Sequence, residues 1–331
     1  MTTMNTTTKD RVLQRLEAHK GSFVSGGKLA SDLGVTRNSI WKAIRALQAE
    51  GYDIESVTGR GYRLSAASTI LSAASIQHYV TDHRIVVEYH DSIDSTNTRC
   101  KLLAEHGAPE GTFVVANCQT AGRGRQGRPF YSPKGAGIYF SLLLRPTFEL
   151  EDVSLLTTYA ACVTARAIEE IFGLQTQIKW VNDIFCNGHK VCGILTEAQF
   201  SAESHAVTYV VVGIGVNVAR PKGGYPEQIA HVAQALTSGD EGAEDKRAQL
   251  AARVADLFMQ DYDRVPDKPF LEYYRAHSLL DGKTVTVYAG ADSFEATVIG
   301  VNDDLTLKVR LENGTTKDLA HGEVHIPSSQ L

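Results

Sequence analysis

The sequence predicts an α+β chain of several domains: a winged helix-turn-helix, a mixed-sheet domain and a small SH3-like β-barrel. Three observations predict it. Apolar positions over the first 65 residues recur at helical spacing and end in a hairpin. From about residue 83 to 275, strand-like apolar runs alternate with helical ones. The last fifty residues alternate with period two between tight turns. A length of 331 residues suits two or three domains. With 43% apolar and 21% charged residues, the composition excludes wholesale disorder.

Val12, Leu13 and Leu16 give a first helical stripe, and Leu29 and Leu33 a second that Gly34 ends. Thr36 is the N-cap of a third helix, in which Ile40, Ile44 and Leu47 share a face at i, i+4, i+7. Arg37, Asn38, Ser39 and Lys42 stay on its outer side, and Gly51 closes it. A strand over 54–57, a Thr58-Gly59-Arg60-Gly61 turn and Tyr62-Arg63-Leu64 make a hairpin with a basic tip. A winged helix-turn-helix would turn the third helix to base edges and Arg60 and Arg63 to phosphates. A protein-binding winged helix with a solvated polar face is the competing reading. Residues 1–65 hold ten Lys and Arg against six Asp and Glu, a net +4, which leaves −9 on the rest. That asymmetry favours a polyanion partner for the first unit alone.

Small uncharged residues over 66–75 read as a linker with a helix starting near its end. Strands are expected over 84–90, 112–117, 137–145, 177–180, 190–200 and 206–218, and helices over 98–106, 152–172 and 246–262. The polar, acidic stretch 237–245 reads as a loop. A short connector around Glu203 makes the last two strands a hairpin, so the sheet is mixed. Strands over 283–288, 295–301, 306–311 and 315–319, with an Asn313-Gly314 turn, complete the barrel. The domain boundaries are 1–65, a linker over 66–80, 81–277 and 278–331.

The longest apolar stretch, 209–218, is far short of the roughly 20 residues of a membrane helix, and the Thr-rich start is no signal peptide but a frayed end. Five cysteines without a C-x-x-C read as reduced thiols of a cytoplasmic protein. No histidine spacing argues for a protein-held metal.

Four segments carry chemistry. In Gly122-Arg123-Gly124-Arg125-Gln126-Gly127-Arg128, glycine permits the close approach and backbone conformation assigned here to Gly124, while Arg forks wrap an anion. A loop touching nucleic acid loosely fits equally well. Lys179-Trp180-Val181-Asn182-Asp183, followed by Lys190-Val191-Cys192-Gly193-Ile194-Leu195, places two cations, an amide and a carboxylate near a strand end; a plain Asn-Asp turn is the alternative. Gly213-Ile214-Gly215-Val216-Asn217-Val218 interrupts an apolar strand, for a close neighbour or a bulge. Asp94-Ser95-Thr96-Asn97 opens a helix, to hold a polar ligand head or to cap it.

Together, in their order along the chain and with Gln119, these segments resemble the biotin–protein ligases over roughly 84–220. The N-terminal winged helix and C-terminal barrel extend the likeness to the bifunctional kind, biotin–[acetyl-CoA-carboxylase] ligase and biotin operon repressor. The resemblance implies a catalytic sheet similar to that of class II aminoacyl-tRNA synthetases. It implies two steps: biotin carboxylate attacks the α-phosphorus of ATP, and a lysine of a biotin carboxyl carrier protein then attacks biotinyl-5′-AMP. ATP with Mg²⁺, biotin, operator DNA and an adenylate-dependent homodimer follow from it; a membrane does not.

By that resemblance Ser95, Thr96, Asn97, Gln119, Arg123, Gly124, Arg125 and Lys190 bind biotin. Arg125, Arg128, Phe130, Asn182 and Asn217 bind ATP or the adenylate, and Arg123, Lys190 and Asp183 are catalytic. Arg37, Asn38, Ser39, Lys42, Arg60 and Arg63 bind DNA. Two departures stand out: Val181 replaces the usual Pro after Trp, and Pro129-Phe130-Tyr131 replaces the usual Trp, leaving Phe130 as adenine partner. A biotin-sensing DNA binder without catalysis and a lipoate–protein ligase are the rival readings. Intact Arg123, Arg125, Lys190 and Asp183 argue against the first, and the Arg/Gly loop and Lys-Trp-x-Asn-Asp against the second.

Overall fold

A computed structural model describes residues 7–66, 68, 70–201, 206–239, 243–289, 292–320 and 322–327. The frayed stretch before residue 7 and the connector around Glu203 lie outside the described residues.

The N-terminal unit packs α1 (Thr8–Glu17), α2 (Gly26–Leu33) and α3 (Arg37–Ala49) beside the hairpin β1 (Ile54–Val57) and β2 (Gly61–Leu64). Thr7 and Asp10 form a capping box on α1, and Thr36 Oγ1 accepts from Ser39 N at 3.1 Å on α3. Val12, Leu16, Leu29, Ile40, Ile44 and Leu47 are all at or near zero exposure, which closes one small core. The segment expected as a linker carries α4 (Ala73–Tyr79), capped by Ser72 and Ser75. Its Ala74 joins the winged core, while Leu71 and Ile76 join the large core that follows.

The central sheet is built from β3 (Val86–His90), β4 (Thr112–Ala116), β5 (Gly137–Leu144), β6 (Gln177–Lys179), β7 (Asp183–Cys186), β8 (His189–Phe200) and β9 (Val207–Asn217). Its order is β3-β4-β5-β9-β8-β7-β6, parallel between β3 and β4 and antiparallel elsewhere. Strand β7 falls where the sequence predicts no strand of its own, only a strand end or a turn at Asn182 and Asp183. It is four residues long and closed by Asn187 (φ 50°) and Gly188 (φ 76°), so the turn residues at both ends hide it.

Side-chain alternation divides the sheet's two faces. Phe113, Phe140, Leu142, Ile194, Val212 and Ile214 turn to one face and bury against α6 (Leu155–Phe172) and α8 (Ala243–Gln260). Helix α8 starts inside the stretch expected as an acidic loop, of which 240–242 lie outside the described residues. On the other face, α5 (Thr96–Glu105) covers Val114, Leu143, Tyr209 and Val211. The rest of that face is where the glycines of β8 and β9 lie.

Short helices α7 (Glu227–Ala230) and α9 (Leu271–Ala276) lead to β10 (Thr284–Ala289), β11 (Asp292–Val301), β12 (Leu307–Leu311), β13 (Thr316–Leu319) and β14 (Glu323–His325). Of the barrel expectation, the strands are present among the described residues and a closure is not. These strands form one antiparallel sheet, order β13-β12-β11-β10-β14, with no ladder joining its edges among the described residues. Period-two alternation reports pairing between neighbours; closure depends on tilt and stagger that no local pattern encodes. The sheet shares the large core through Val285, Val287 and Val298. Trp180 Nε1 ties it to the central sheet by donating to Leu305 O (2.9 Å), and Ile178 N holds the end of α9 by donating to His277 O (2.7 Å). The Trp180–Val181 peptide is cis.

Candidate active site

One row of partners crosses the open end of the sheet: Tyr139, Gly215, Gly193, Asp183 and Lys179, each opposite the next. Alternation puts them on the face that α5 leaves uncovered. The two glycines make a floor without side chains. A Cβ on Gly215 would lie 2.4 Å from the Phe130 ring, and one on Gly193 3.0 Å from it. One step along β9, a Cβ on Gly213 would sit 2.0 Å from Asn97 Oδ1. Both strand glycines therefore exist for close approach, not for a bulge.

A continuous hydrogen-bond network joins the start of α5 to β5, β8 and the stretch from Gln119 to Ser132. Asn97 Nδ2 donates to Glu197 Oε2 (2.8 Å), and Ser141 Oγ lies 2.6 Å from Asn97 Oδ1 and 2.8 Å from Thr96 Oγ1. Gln119 Oε1 accepts from Thr96 N (2.9 Å) and Oγ1 (3.1 Å); its Nε2 donates to Ser132 Oγ, which donates to Phe130 O, both at 3.0 Å. Ser95, Thr96 and Asn97 are buried, so these bonds hold the helix start in one geometry.

The Arg/Gly loop is a tight excursion. Phe130 N donates to Gly122 O (2.9 Å), Gly124 N to Arg128 O (2.7 Å), and Arg123 bridges Pro129. Here the glycine argument moves. Gly124 has φ −113° and ψ −175°, open to any residue, and its Cβ would meet only Arg128 O at 3.3 Å. Gly122 is the constrained position, since its Cβ would fall 2.5 Å from Phe130 O.

Each cation rests on a polar partner. Arg123 lies 3.7 Å from Glu197, Arg125 NH1 donates to Asn182 Oδ1 (3.0 Å), Arg128 pairs with Glu323 of β14, and Lys190 Nζ lies 2.7 Å from Asp183 Oδ1. Burial would raise the Glu197 carboxyl, but Lys101, Asn97 and Arg123 outweigh it and hold it below its ordinary value. Burial lowers the Lys179 ammonium, opposed by Asp183 and aided by Lys190. Arg123, Arg125, Lys179 and Lys190 thus gather at one glycine-floored face with polar partners that an incoming anion can displace.

Comparison with known proteins gives this geometry a family. Residues 89–217 match the family model described as the biotin/lipoate A/B protein ligase family, and residues 8–63 match an HTH domain. The bifunctional ligase/repressor BirA of Bacillus subtilis (strain 168) is 34% identical over 322 residues, covering 95% of this chain and 97% of that protein. This chain belongs to the BirA family. BirA of Escherichia coli (strain K12) is 32% identical over 200 residues, 60% of each chain. Among solved structures, a biotin protein ligase from Aquifex aeolicus in complex with biotin and ATP superposes with a TM-score of 0.58 at 28% identity, covering 73% of this chain and 98% of that one.

Against that family frame, Ser95, Thr96, Asn97, Gln119, Arg123, Arg125, Asn182, Asp183 and Lys190 come together as one cluster. Phe130 covers the glycine floor, with Tyr139 edge-on at 6.4 Å. Arg128 points to the C-terminal sheet, and Asn217 stands at the end of β9 opposite Gly137. Ser141, Glu197, Lys101, Ser132 and Glu323 are participants that sequence reasoning missed. The alternation of β8 does put Glu197 on the glycine face, a signal that was available. Trp180 of the Lys-Trp motif holds the C-terminal sheet.

In the BirA-like N-terminal unit, Arg37, Asn38 and Lys42 are exposed on α3, whereas Ser39 lies inside the cap, its Oγ 2.9 Å from Thr36 Oγ1. Arg60 and Arg63 both sit on the Phe23 ring, at 4.2 and 4.7 Å, and Arg63 is also paired with Glu55. No helix among the described residues is long and apolar enough to cross a membrane.

Proposed function

We infer that this chain is an ATP-dependent biotin–protein ligase that also acts as a biotin-responsive repressor of transcription. One observation carries the ligase half: Lys190, Asp183, Arg123 and Arg125 meet the Thr96–Gln119 network on the Gly193/Gly215 floor. A flat bicyclic ligand with a polar ureido edge suits a floor without side chains bordered by Ser, Thr, Asn and Gln. Bringing biotin carboxylate and triphosphate together requires dense positive charge. Arg123, Arg125, Arg128 and Lys190 would supply it by leaving Glu197, Asn182, Glu323 and Asp183 for the substrate anions. Mg²⁺ would enter with ATP and offset charge on the phosphate oxygens.

A carboxylate oxygen of biotin attacks the α-phosphorus, the P–O bond to pyrophosphate breaks, and biotinyl-5′-AMP stays under the Arg/Gly loop, shielded from water. The carrier lysine amine then attacks the acyl carbon and AMP leaves. Asp183, released by Lys190, orients that ammonium or accepts its proton. Asn182 and Asn217 border the adenylate, and Phe130 must lie between its adenine and the glycine floor or move aside. The acceptor is a biotin carboxyl carrier protein, the location cytoplasmic, and the adenylate-bound form a homodimer on a two-part operator. Incubation with ATP, Mg²⁺, biotin and a carrier domain should give a streptavidin-reactive band. Biotin binding without that band would instead identify a non-catalytic sensor.

A further inference from the structure

The largest exposed apolar side chain of the N-terminal unit is not where a folding argument puts one. Trp41 is 51% exposed, the highest value for any large hydrophobic residue among those described. It lies on α3, whose buried stripe is Ile40, Ala43, Ile44 and Leu47. The opposite stripe runs Arg37, Trp41, Arg45 at i, i+4, i+8, with Asn38 and Lys42 beside it, all exposed. The helix carries three cations and no carboxylate. The Arg45 guanidinium lies 5.9 Å from the Trp41 ring centroid, close enough to steady both side chains. Nearby Glu50 and Glu55 are occupied by Lys9 and Arg63.

An indole cannot neutralise a phosphate. Its use on a cationic helix is apolar contact, and the apolar group that a major groove offers is the thymine C5-methyl. A protein partner would be expected to meet some carboxylate or apolar continuation around Trp41, whereas the neighbours are Arg37, Lys42 and Arg45. We propose that Trp41 is a specificity-determining residue of the DNA interface, packing on a thymine methyl while Arg37, Lys42 and Arg45 engage the surrounding phosphates and base edges. This rests on the repressor reading and deepens it.

The test uses the full-length protein with biotin and ATP to select a duplex from a randomised pool. Affinities of wild type, Trp41→Ala and Trp41→Phe are then measured on that duplex, on versions with deoxyuridine at each thymine in turn, and on a scrambled duplex. Trp41→Ala should lose about ten- to a hundredfold on the selected duplex and less than about threefold on the scrambled one. At one thymine, methyl removal should weaken wild type but not Trp41→Ala, and Trp41→Phe should keep most of the discrimination. Carrier biotinylation should match wild type in both variants, and the near-unchanged affinity on the scrambled duplex shows that their winged unit still folds. Equal losses on both duplexes, no loss, or a methyl effect undiminished in Trp41→Ala would overturn the assignment. A change in self-association without DNA would give the face to a second copy instead. If wild type enriches no duplex, the repressor reading fails and this inference with it.

Discussion

Lys190 and Asp183, the pair proposed as catalytic, lie 2.7 Å apart and mostly shielded from solvent. Removing the ammonium leaves a carboxylate and two substrate anions uncompensated. Lys190→Ala should therefore slow adenylate formation, read as pyrophosphate release, at least about a hundredfold, or ~3 kcal/mol. Activity within a few-fold of wild type would remove Lys190 from the mechanism. The Arg/Gly loop separates two glycines that look alike in sequence. Gly122→Ala puts a Cβ 2.5 Å from Phe130 O and should weaken biotin binding about tenfold or more by calorimetry. Gly124→Ala meets only a 3.3 Å contact and should stay within about threefold. The reverse ranking would mean that the loop is built around Gly124 after all.

At the scale of elements, β3 and α5 are joined by Glu88, which accepts from Arg99 Nε (2.6 Å) and lies 2.7 Å from His90 Nε2. Burial would raise this carboxyl, but His90 and Arg99 outweigh it and bring it to about 2. A depressed carboxylate stabilises the fold above its unfolded value near 4.3 and loses that contribution as pH falls toward 2. The unfolding free energy of wild type should exceed that of Glu88→Gln above about pH 5, by an amount on the order of 3 kcal/mol at most, and the gap, read by denaturant titration, should close between about pH 4.5 and 2. A gap unchanged down to pH 2 would contradict the shift. For the winged unit, the Arg63–Glu55 pair leaves Arg37, Lys42, Arg45 and Arg60 as the proposed phosphate partners. A dimer would release counterions from about eight contacts, so the log–log salt slope of operator binding should be near −7. Gel-shift titration across salt checks it; a flat response would make the wing a structural module.

For the whole molecule, α4 decides how the two activities are coupled. Ala74 belongs to the winged core, but Leu71 and Ile76 are buried in the large one, beside α8. A chain lacking residues 1–65 therefore keeps α4 docked through its larger contacts. It should retain biotin transfer, since every ligand motif starts at Ser95 or later, while losing operator binding. A loss of biotin affinity in that truncated chain would show that the winged unit braces the Arg/Gly loop.

Much of this protein was legible without coordinates. Stripes such as Ile40, Ile44 and Leu47 and caps such as Thr36 are local, and local periodicity is what a helix answers to. The four ligand motifs could be read because close approach and charge demand particular residue types. Only the tertiary structure decided which glycine is constrained, that β7 pairs with β8, that the described C-terminal strands take the order β13-β12-β11-β10-β14, and that Arg128 reaches Glu323, 195 residues away. Those outcomes depend on strand register and on which distant chain segment arrives at a given atom. Neither is carried by the period of any one segment, because pairing across a sheet is settled by the packing of all its strands at once.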